Sequence, residues 1–470
     1  MRLTRRGLLA GAGASALGAA GIYELVDRLT EAPRRAHVFT RPREQHLLQG
    51  LRVVDDDGVE VLVPPLHHQV VTARVSVRDS PRALREARLA FEQALVTLER
   101  RFEPTPAGLG LTVAWGLPYF ERFVPAPAQR YLPVDHRASK GRLRPVRAVV
   151  DAIRFPSDPD ATVLERNDLA VLLRSDKREH VAEGARALFD AVGGLFELTS
   201  VRKGFAGGGF EGGRSLPKLM ALAAGVPGAE LVPESAQLFL GFTSTQRAGM
   251  GPARIANLET LGLSDGGPGG YFAGGTTMHL SHLFEDLEAW YVDFDHDQRV
   301  ETTFRPALRV ARARLTVRQD PEDVVTIAGN VADYRRHGTI GHSASIMPSS
   351  RLQHDVEGAD GNLYRKGTAI PLRADFNTLD NPFFWSADPE RDGQADGPAA
   401  GLHFASFNPT SDDFHRNRLA MDGRLPDGTR LEFEPRARGQ GLNSVLRTTH
   451  RQNFLVPPRR RRSFPLSELL

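Results

Sequence analysis

The sequence predicts an α+β fold made of two ferredoxin-like halves, in which antiparallel strands pair and helices cover them. In the first half, residues 67–77 alternate apolar and polar side chains as a half-buried strand does, and an amphipathic helical pattern follows over residues 80–102. A second strand is predicted at residues 110–115. A third strand from residue 168, a helix over residues 179–192 and a further strand complete the unit. Strand, helix and strand, twice in succession, is the ferredoxin-like order.

The second half repeats this order less regularly. The predicted strands are residues 237–244, 276–283, 401–407 and 453–458, and the predicted helices run through Trp290 and over residues 411–421. Residues 338–352, "GTIGHSASIMPSSRL", are predicted as a loop. The Pro- and Gly-rich residues 225–235 mark the joint, so the predicted domains are residues 45–225 and 230–458.

Composition excludes several classes of function. The 470 residues include 60 basic and 57 acidic ones, a net charge of +3 that is too balanced for nucleic-acid binding as the main task. The basic run at residues 459–462 is expected to begin a solvated tail, residues 459–470, without a function of its own. Cysteine is absent, so disulfides, thiolate metal sites and iron–sulfur clusters are excluded. A metal must be bound by other side chains or within a cofactor.

The N-terminus predicts export. Residues 1–32 contain a charged start, a run without charge over residues 7–23, and the pair Arg5-Arg6 followed by Gly-Leu-Leu, which matches the twin-arginine pattern. The run is too rich in Ala and Gly for an ordinary membrane span, although an uncleaved anchor stays open. The expected partner is the twin-arginine translocase, and the expected location is periplasmic, extracellular or anchored outside the cytoplasmic membrane. Substrates of that route cross the membrane folded, which favours a bound cofactor.

Four motifs of the second half occur in a fixed order. "GLSDG", residues 262–266, precedes "GGTTMHLSHLFEDLEAWY" at residues 274–291. "GHSASIMPSSRL", residues 341–352, and "LYRKGTA", residues 363–369, follow. With the strand, helix and strand that end in "RKGF" in the first half, they resemble the dye-decolorising (DyP-type) haem peroxidases. The resemblance extends from about His67 to Pro458.

This resemblance implies a fold of the dimeric α+β barrel type, with haem b in the C-terminal domain. It implies that His342 is the iron ligand, with Pro348 six residues on. Four further residues are expected beside the cofactor: Gly262 and Gly266, which flank Asp265, Arg365, and Phe404 in "GLHFASF".

The catalytic residues that the resemblance implies have separate roles in cleaving hydrogen peroxide. Asp265 would move a proton from the inner peroxide oxygen to the outer one. Arg365 would stabilise the negative charge on the departing oxygen. The expected activity is that of a peroxidase acting on hydrogen peroxide and a small-molecule reductant of unknown identity.

The sequence departs from the family pattern, which leaves alternatives open. Ser281-His282 stand where the family has basic residues, and the carboxylate behind the ligand imidazole has only Asp412 and Asp413 as candidates. One alternative is an exported haem-binding or iron-uptake protein with little turnover. A second is a non-haem metal site that uses His279 and His282, which would share a face on a helix. The resemblance instead places these two histidines on a strand.

Overall fold

The structure is a computed structural model that describes residues 41–56, 58–210, 213–243, 266–312, 315–317, 323–358, 361–379 and 398–470. The predicted export signal, Gly262 and Asp265 lie outside the described residues. Pro42 to Leu470 form one compact unit. Among the helices of the described residues, none is long and apolar enough to cross a membrane.

The described residues contain sixteen strands and ten α-helices, most of them short. The strands are β1 Val53–Asp56, β2 Val59–Leu62, β3 His67–Val75, β4 Gly110–Gly116, β5 Val134–Asp135, β6 Val146–Arg147, β7 Val163–Leu164, β8 Leu169–Ser175, β9 Phe196–Phe205, β10 Thr276–Glu285, β11 Val356–Glu357, β12 Leu363–Tyr364, β13 Leu372–Arg373, β14 Phe376–Thr378, β15 Gly401–Asn408 and β16 Leu446–Val456. The helices are α1 Pro81–Arg101, α2 Leu117–Phe123, α3 Pro125–Tyr131, α4 His136–Ser139, α5 Arg178–Ala191, α6 Leu216–Ala224, α7 His296–Thr303, α8 Ile327–His337, α9 His342–Ser350 and α10 Ser411–Met421.

Eight of the strands form a closed antiparallel barrel. Their order is β10, β15, β14, β9, β3, β8, β4 and β16, and β16 also pairs with β10, which closes the ring. One cluster of buried side chains receives residues from strands all round the ring, so it fills the barrel interior; among its members are Val70, Leu172, Leu280, Phe376 and Ala405. Side chains that alternate with these point outward.

Within the eight-stranded barrel, strands of the two predicted domains meet along two narrow seams. At one seam β9 and β14 share a single pair, Phe205 with Asn377. The Asn377 amide strengthens it, because Nδ2 donates to the Phe205 carbonyl at 3.2 Å and Oδ1 accepts from the Phe239 amide at 3.0 Å. At the other seam β4 meets β16, and Gln45 Nε2 donates to the carbonyls of Val113 at 2.9 Å and Pro457 at 2.7 Å. Buried amide side chains therefore join the halves where few strand pairs do.

Helices cover the outer face of the first-half strands. Ser80 caps α1, where its side chain accepts from the Ala83 amide, and the helix buries an apolar stripe that includes Leu84, Phe91 and Leu95. This stripe packs in one core with outward residues of β4 and β8 and with side chains of α5. The strands and helices predicted for the first half are confirmed, within one or two residues at most ends.

Three predictions for other segments are wrong. Residues 237–243 form turns rather than a strand. Leu238 and Leu240 line a cavity and Phe239 is buried in a core, and this alternation imitates a strand pattern. Residues 342–350 of the predicted loop form α9. The predicted solvated tail is packed against α1, with Phe464 and Leu466 fully buried. The division into domains at residues 225–230 stays a prediction.

Candidate functional site

A cavity of about 240 Å³ lies on the outer face of the second-half strands, beneath two helices. Its lining is mainly apolar, with a few charged and hydroxyl side chains. The strand wall carries Ser281, Leu283 and Glu285 of β10 and Leu402, Phe404 and Ser406 of β15. The helix wall carries His342, Ser343, Ile346 and Met347 of α9 and Phe414, Asn417, Arg418 and Met421 of α10. A concave, mostly apolar lining with few polar groups is typical of small-molecule and cofactor sites.

The start of α9 brings His342 to the cavity. Gly341 precedes the helix, and a Cβ atom at this position would lie 2.3 Å from the carbonyl oxygen of Phe304, so only glycine permits the approach. The same carbonyl accepts from the Ala344 amide at 2.9 Å, and Phe304 itself lines the cavity. The first turn of α9, and therefore His342, is held against the end of α7.

Pro348 lies inside α9, and a neighbouring helix satisfies the backbone group that it leaves free. Proline has no amide hydrogen, so the carbonyl of Ala344, four residues earlier, loses its helical donor. Asn330, fully buried on α8, donates its Nδ2 to this carbonyl at 3.0 Å. The proline is thereby tolerated in a helix that bears no clear apolar stripe of its own.

His342 is held neutral. Burial lowers the pKa of its imidazole to about 3, and the positive charges of Arg373 and Arg418 act in the same direction. Its Nδ1 is buried and has no hydrogen-bond partner among the residues that the structure describes. A neutral imidazole with an unused buried nitrogen can serve as a ligand to a metal centre.

A carboxyl group faces the cavity from the end of β10. Glu285 is 3 % exposed, and its Oε2 has no hydrogen-bond partner within the described ranges. Burial, with a contribution from the charge of Asp375, raises the pKa of this carboxyl to about 8. Asp375 itself is paired with Arg373 at 2.8 Å, and the guanidinium of Arg373 lies 5.2 Å from the ring centroid of Phe404. Glu285 therefore presents a neutral carboxylic acid at neutral pH.

One end of the cavity is closed by a buried charge cluster, which we define as Asp158, Arg418, Asp422 and Arg451. Arg451 donates to Asp158 at 2.6 Å, and Arg418 donates to Asp422 at 2.7 Å. Arg418 also reaches Asp158 at 3.5 Å. All four side chains are at most 9 % exposed. Asp158 comes from the first half of the chain and the others from the second, so the cluster fixes α10 over the barrel.

Most of the chain matches the model of one protein family. Residues 65–458 match the model of DUF7405, a family of unknown function. The chain belongs to this family. No curated protein matches the chain.

Solved structures similar to this DUF7405 chain include DyP-type peroxidases. The enzyme from Cellulomonas bogoriensis is 18% identical, with 87% of this chain and 95% of that one covered and a TM-score of 0.49. DyPB from Rhodococcus jostii RHA1 is 14% identical, with coverage of 87% and 96% and a TM-score of 0.49. The encapsulated DyP-type peroxidase from Mycobacterium smegmatis is 14% identical, with coverage of 86% and 95% and a TM-score of 0.47.

The structure brings together only some of the predicted site residues of the DUF7405 chain. His342 and Phe404 both line the cavity. Gly266 lies in a turn, where its carbonyl accepts from the Phe272 amide at 2.7 Å, and it is not part of the described lining. Gly262 and Asp265 lie outside the described residues, so their placement stays a prediction.

Arg365 does not lie where the resemblance implies. Its side chain is 72% exposed and pairs with Asp355 at 2.6 Å, and the Lys366 amide donates to the same carboxylate at 2.9 Å. Asp355 therefore holds this turn at the surface, away from the described cavity lining. Arg373, eight residues later, lines the cavity instead.

The alternative metal site does not form. His279 and His282 lie on β10, three residues apart, so they face opposite sides of the strand. His279 stacks on Phe414 with ring centroids 3.4 Å apart, while His282 lies against His403 in the barrel interior at 5.0 Å. Among the described residues, no group of three or more His, Asp or Glu side chains could hold a metal ion.

The two candidate acidic partners of His342 are engaged elsewhere. Asp413 pairs with Arg137 at 2.6 Å and accepts from the Thr410 amide at 3.1 Å, which caps α10. Asp412 pairs with the same arginine at 3.2 Å. Neither carboxylate belongs to the lining formed by the described residues.

Sequence reasoning missed Glu285, Arg373 and the buried charge cluster. Glu285 has a detectable signal, because it continues the alternation of outward positions Ser281 and Leu283 on a predicted strand. The buried charge cluster has none, because Asp158 lies in an irregular segment and its partners Arg418 and Arg451 are distant in sequence. Arg373 lies on the two-residue strand β13, which is too short to show an alternation.

Proposed function

We propose that this chain binds haem b in the cavity beneath α9 and α10 and acts as a peroxidase, with His342 as the iron ligand. The observation that supports this most directly is the neutral imidazole of His342, which lines a mainly apolar cavity and has an unpartnered Nδ1 within the described ranges. The motif resemblance independently points to the same histidine.

The chemistry of the lining fits haem. Leucine, isoleucine, methionine and phenylalanine side chains suit the apolar faces of a porphyrin, and Arg351 in the lining brings positive charge toward its anionic propionates. Haem, when bound, would supply the redox chemistry that breaks the peroxide O–O bond and oxidises the organic reductant.

The residues of this chain would manage protons and charge. Asp265 is proposed to take the proton of the inner peroxide oxygen and deliver it to the outer oxygen, which then leaves as water. We assign the cationic role to Arg373 rather than Arg365, because Arg373 lines the cavity and Arg365 is exposed. Glu285, neutral at pH 7, can donate a hydrogen bond within the same cavity.

A second candidate function is haem binding with little turnover, as in an exported haem carrier or iron-uptake protein. One observation favours it: the arginine that the resemblance assigns to catalysis is paired with Asp355 at the surface. The two candidates share the cofactor and differ in the reaction with peroxide.

Haem binding is tested by absorption spectroscopy of the purified protein after reconstitution with hemin. We expect a Soret band in the wild type and its loss in His342→Ala. His337→Ala is the matched control, because His337 is an exposed histidine five residues earlier and should leave the band unchanged. A wild type without a Soret band would contradict both candidate functions.

Turnover is tested by stopped-flow mixing of the haem-loaded protein with peroxide. Asp265→Asn should keep the haem and slow the peroxide reaction by about 10²–10⁴-fold. Arg373→Gln should also slow it, by about 10²-fold or more, whereas Arg365→Gln should not. A peroxide reaction that is equally slow in the wild type and Asp265→Asn would favour the carrier.

Two finer assignments belong to this proposal. We interpret each half of the barrel as ferredoxin-like, because the strand orders β9-β3-β8-β4 and β16-β10-β15-β14 both place the first and third strands of a half in the centre. We also propose export by the twin-arginine route, supported by Arg5-Arg6 and the uncharged run that follows.

A further inference from the structure

A second, much smaller cavity lies at one end of the barrel. Its volume of about 30 Å³ is enough for one water molecule or one small ion. Four nitrogen-bearing side chains line it, His46, His68, Arg174 and Arg373, together with apolar residues such as Leu48 and Leu62. It is distinct from the proposed haem cavity, although Leu62, Leu372 and Arg373 line both.

Arg174 is a buried cation without an anionic partner among the described residues. Its exposure is 6 %. One terminal nitrogen donates to the carbonyl of His46, while Nε has no partner within the described ranges. Burial lowers the pKa of its guanidinium to about 10, so it stays charged at neutral pH. A buried charge is costly unless it is paired, which makes this position unusual.

His68 supplies a second donor to the same cavity. It lies opposite Arg174 in the pairing of β3 with β8, and its ring stacks on Phe376 with centroids 4.8 Å apart. Its Nδ1 is buried and has no partner among the residues described. Burial and the charge of Arg174 hold the pKa of this imidazole well below its usual range, so it is neutral and can donate one N–H.

The carboxylates nearby do not neutralise Arg174. Asp375 is paired with Arg373 at 2.8 Å. Glu44 acts on His46, whose pKa it raises against the larger effect of burial, and makes no described ion pair with Arg174. The small cavity is therefore lined by hydrogen-bond donors with a net positive charge.

We propose that this cavity is a binding site for a small monovalent inorganic anion, held by Arg174 and an N–H of His68. A volume of about 30 Å³ suits a halide or another small inorganic anion. A water molecule would satisfy the donors but leave the charge of Arg174 without compensation. The inference is independent of haem binding, since the site requires only residues at the end of the barrel.

Thermal unfolding in bromide tests the site, with sodium gluconate at equal ionic strength as the reference, because gluconate is too large for the cavity. We expect bromide to raise the Tm of the wild type by about 1–3 °C, since a ligand that binds only the folded state stabilises it. Arg174→Met should abolish the bromide effect. Arg462→Met is the control, because Arg462 is equally buried but paired with Glu92 and Glu99, so its loss should lower the Tm and leave the bromide effect intact.

Crystals of the wild type grown in bromide provide a second measurement that does not depend on a variant that folds. An anomalous peak in contact with Arg174 and His68 would support the proposal. A Tm that is indifferent to bromide, a bromide effect that persists in Arg174→Met, or a cavity without an anomalous peak would each overturn it.

Discussion

Glu285 carries its proton because of where its side chain lies. The raised pKa, about 8, means that the folded protein keeps this proton between pH 4.5 and 8 while the unfolded chain releases it. The folded state therefore binds more protons over this window, and the free energy of unfolding falls as the pH rises. The contribution of the Glu285 proton to the free energy of unfolding is therefore complete below about pH 4.5. It is lost progressively as the pH rises to about 8.

Glu285→Gln should reveal this dependence. The amide has the shape of the acid but no charge to bury, so its stability relative to the wild type should increase by a few kcal/mol between pH 5 and 8. Urea unfolding at a series of pH values measures it, and Glu288→Gln, at an exposed glutamate of the following turn, is the matched control. A difference between Glu285→Gln and the wild type that does not change with pH would show that the carboxyl ionises normally.

Asn330 and Pro348 form a pair that a double-mutant cycle can isolate. Asn330→Ala removes the donor to the Ala344 carbonyl and should cost about 1–3 kcal/mol, because a buried acceptor is left without a partner. Pro348→Ala restores an amide hydrogen that can reach the same carbonyl. We expect the double variant to be more stable than the sum of the single effects predicts, as measured by denaturant unfolding. Strict additivity would mean that the two residues act independently.

At the scale of elements, the buried charge cluster fixes helix α10 over the proposed haem cavity. Asp158→Asn would leave Arg451 and Arg418 with too little negative charge, and breaking a buried pair in this way costs about 3–5 kcal/mol. Glu86→Gln removes the charge of one partner of an exposed pair with Arg82 and should leave the free energy of unfolding nearly unchanged. Similar losses in the two variants, measured by guanidinium unfolding, would contradict the structural role of the cluster.

Helices and strands with a strong periodicity of apolar residues were predictable from sequence, whereas segments stabilised by residues distant in the chain were not. The apolar stripe of α1 and the alternating side chains of β3 are visible in consecutive residues, so both elements can be predicted from the local sequence. Helix α9 lacks such a stripe and contains Pro348, so its stability depends on Asn330 and Phe304. In the turns at residues 237–243, Leu238 and Leu240 line the main cavity and Phe239 is buried in a core, so the local pattern resembles that of a strand.

The same division applies to the site. His342 could be predicted because a motif surrounds it, and the structure places it in the main cavity. Arg365 occurs in a matching motif, yet Asp355 pairs with it at the surface, and no sequence pattern reveals that competing partner. Likewise, the basic run that begins at residue 459 was predicted to be a solvated tail, because Glu99, which pairs with Arg462, lies 363 residues away along the chain.

At the scale of the whole molecule, the proposed export route can be tested directly. Replacing Arg5 and Arg6 together with lysine keeps the charge of the N-terminus but removes the paired guanidinium groups that define the motif. We expect the variant to accumulate in the cytoplasm, as measured by cell fractionation and immunoblotting. Lysine for Arg2 alone is the control, since it leaves the pair intact. Normal export of the double variant would contradict the proposed route.

The closure of the barrel by β16 has a consequence for biosynthesis. This strand bonds to β10 and to β4, so the ring remains open until the ribosome has released residues 446–456. Until then the edges of β4 and β10 can pair with other chains, and pairings so distant in sequence form slowly. The protein should therefore become competent for any pathway that accepts only finished folds no earlier than the moment when β16 has emerged and paired.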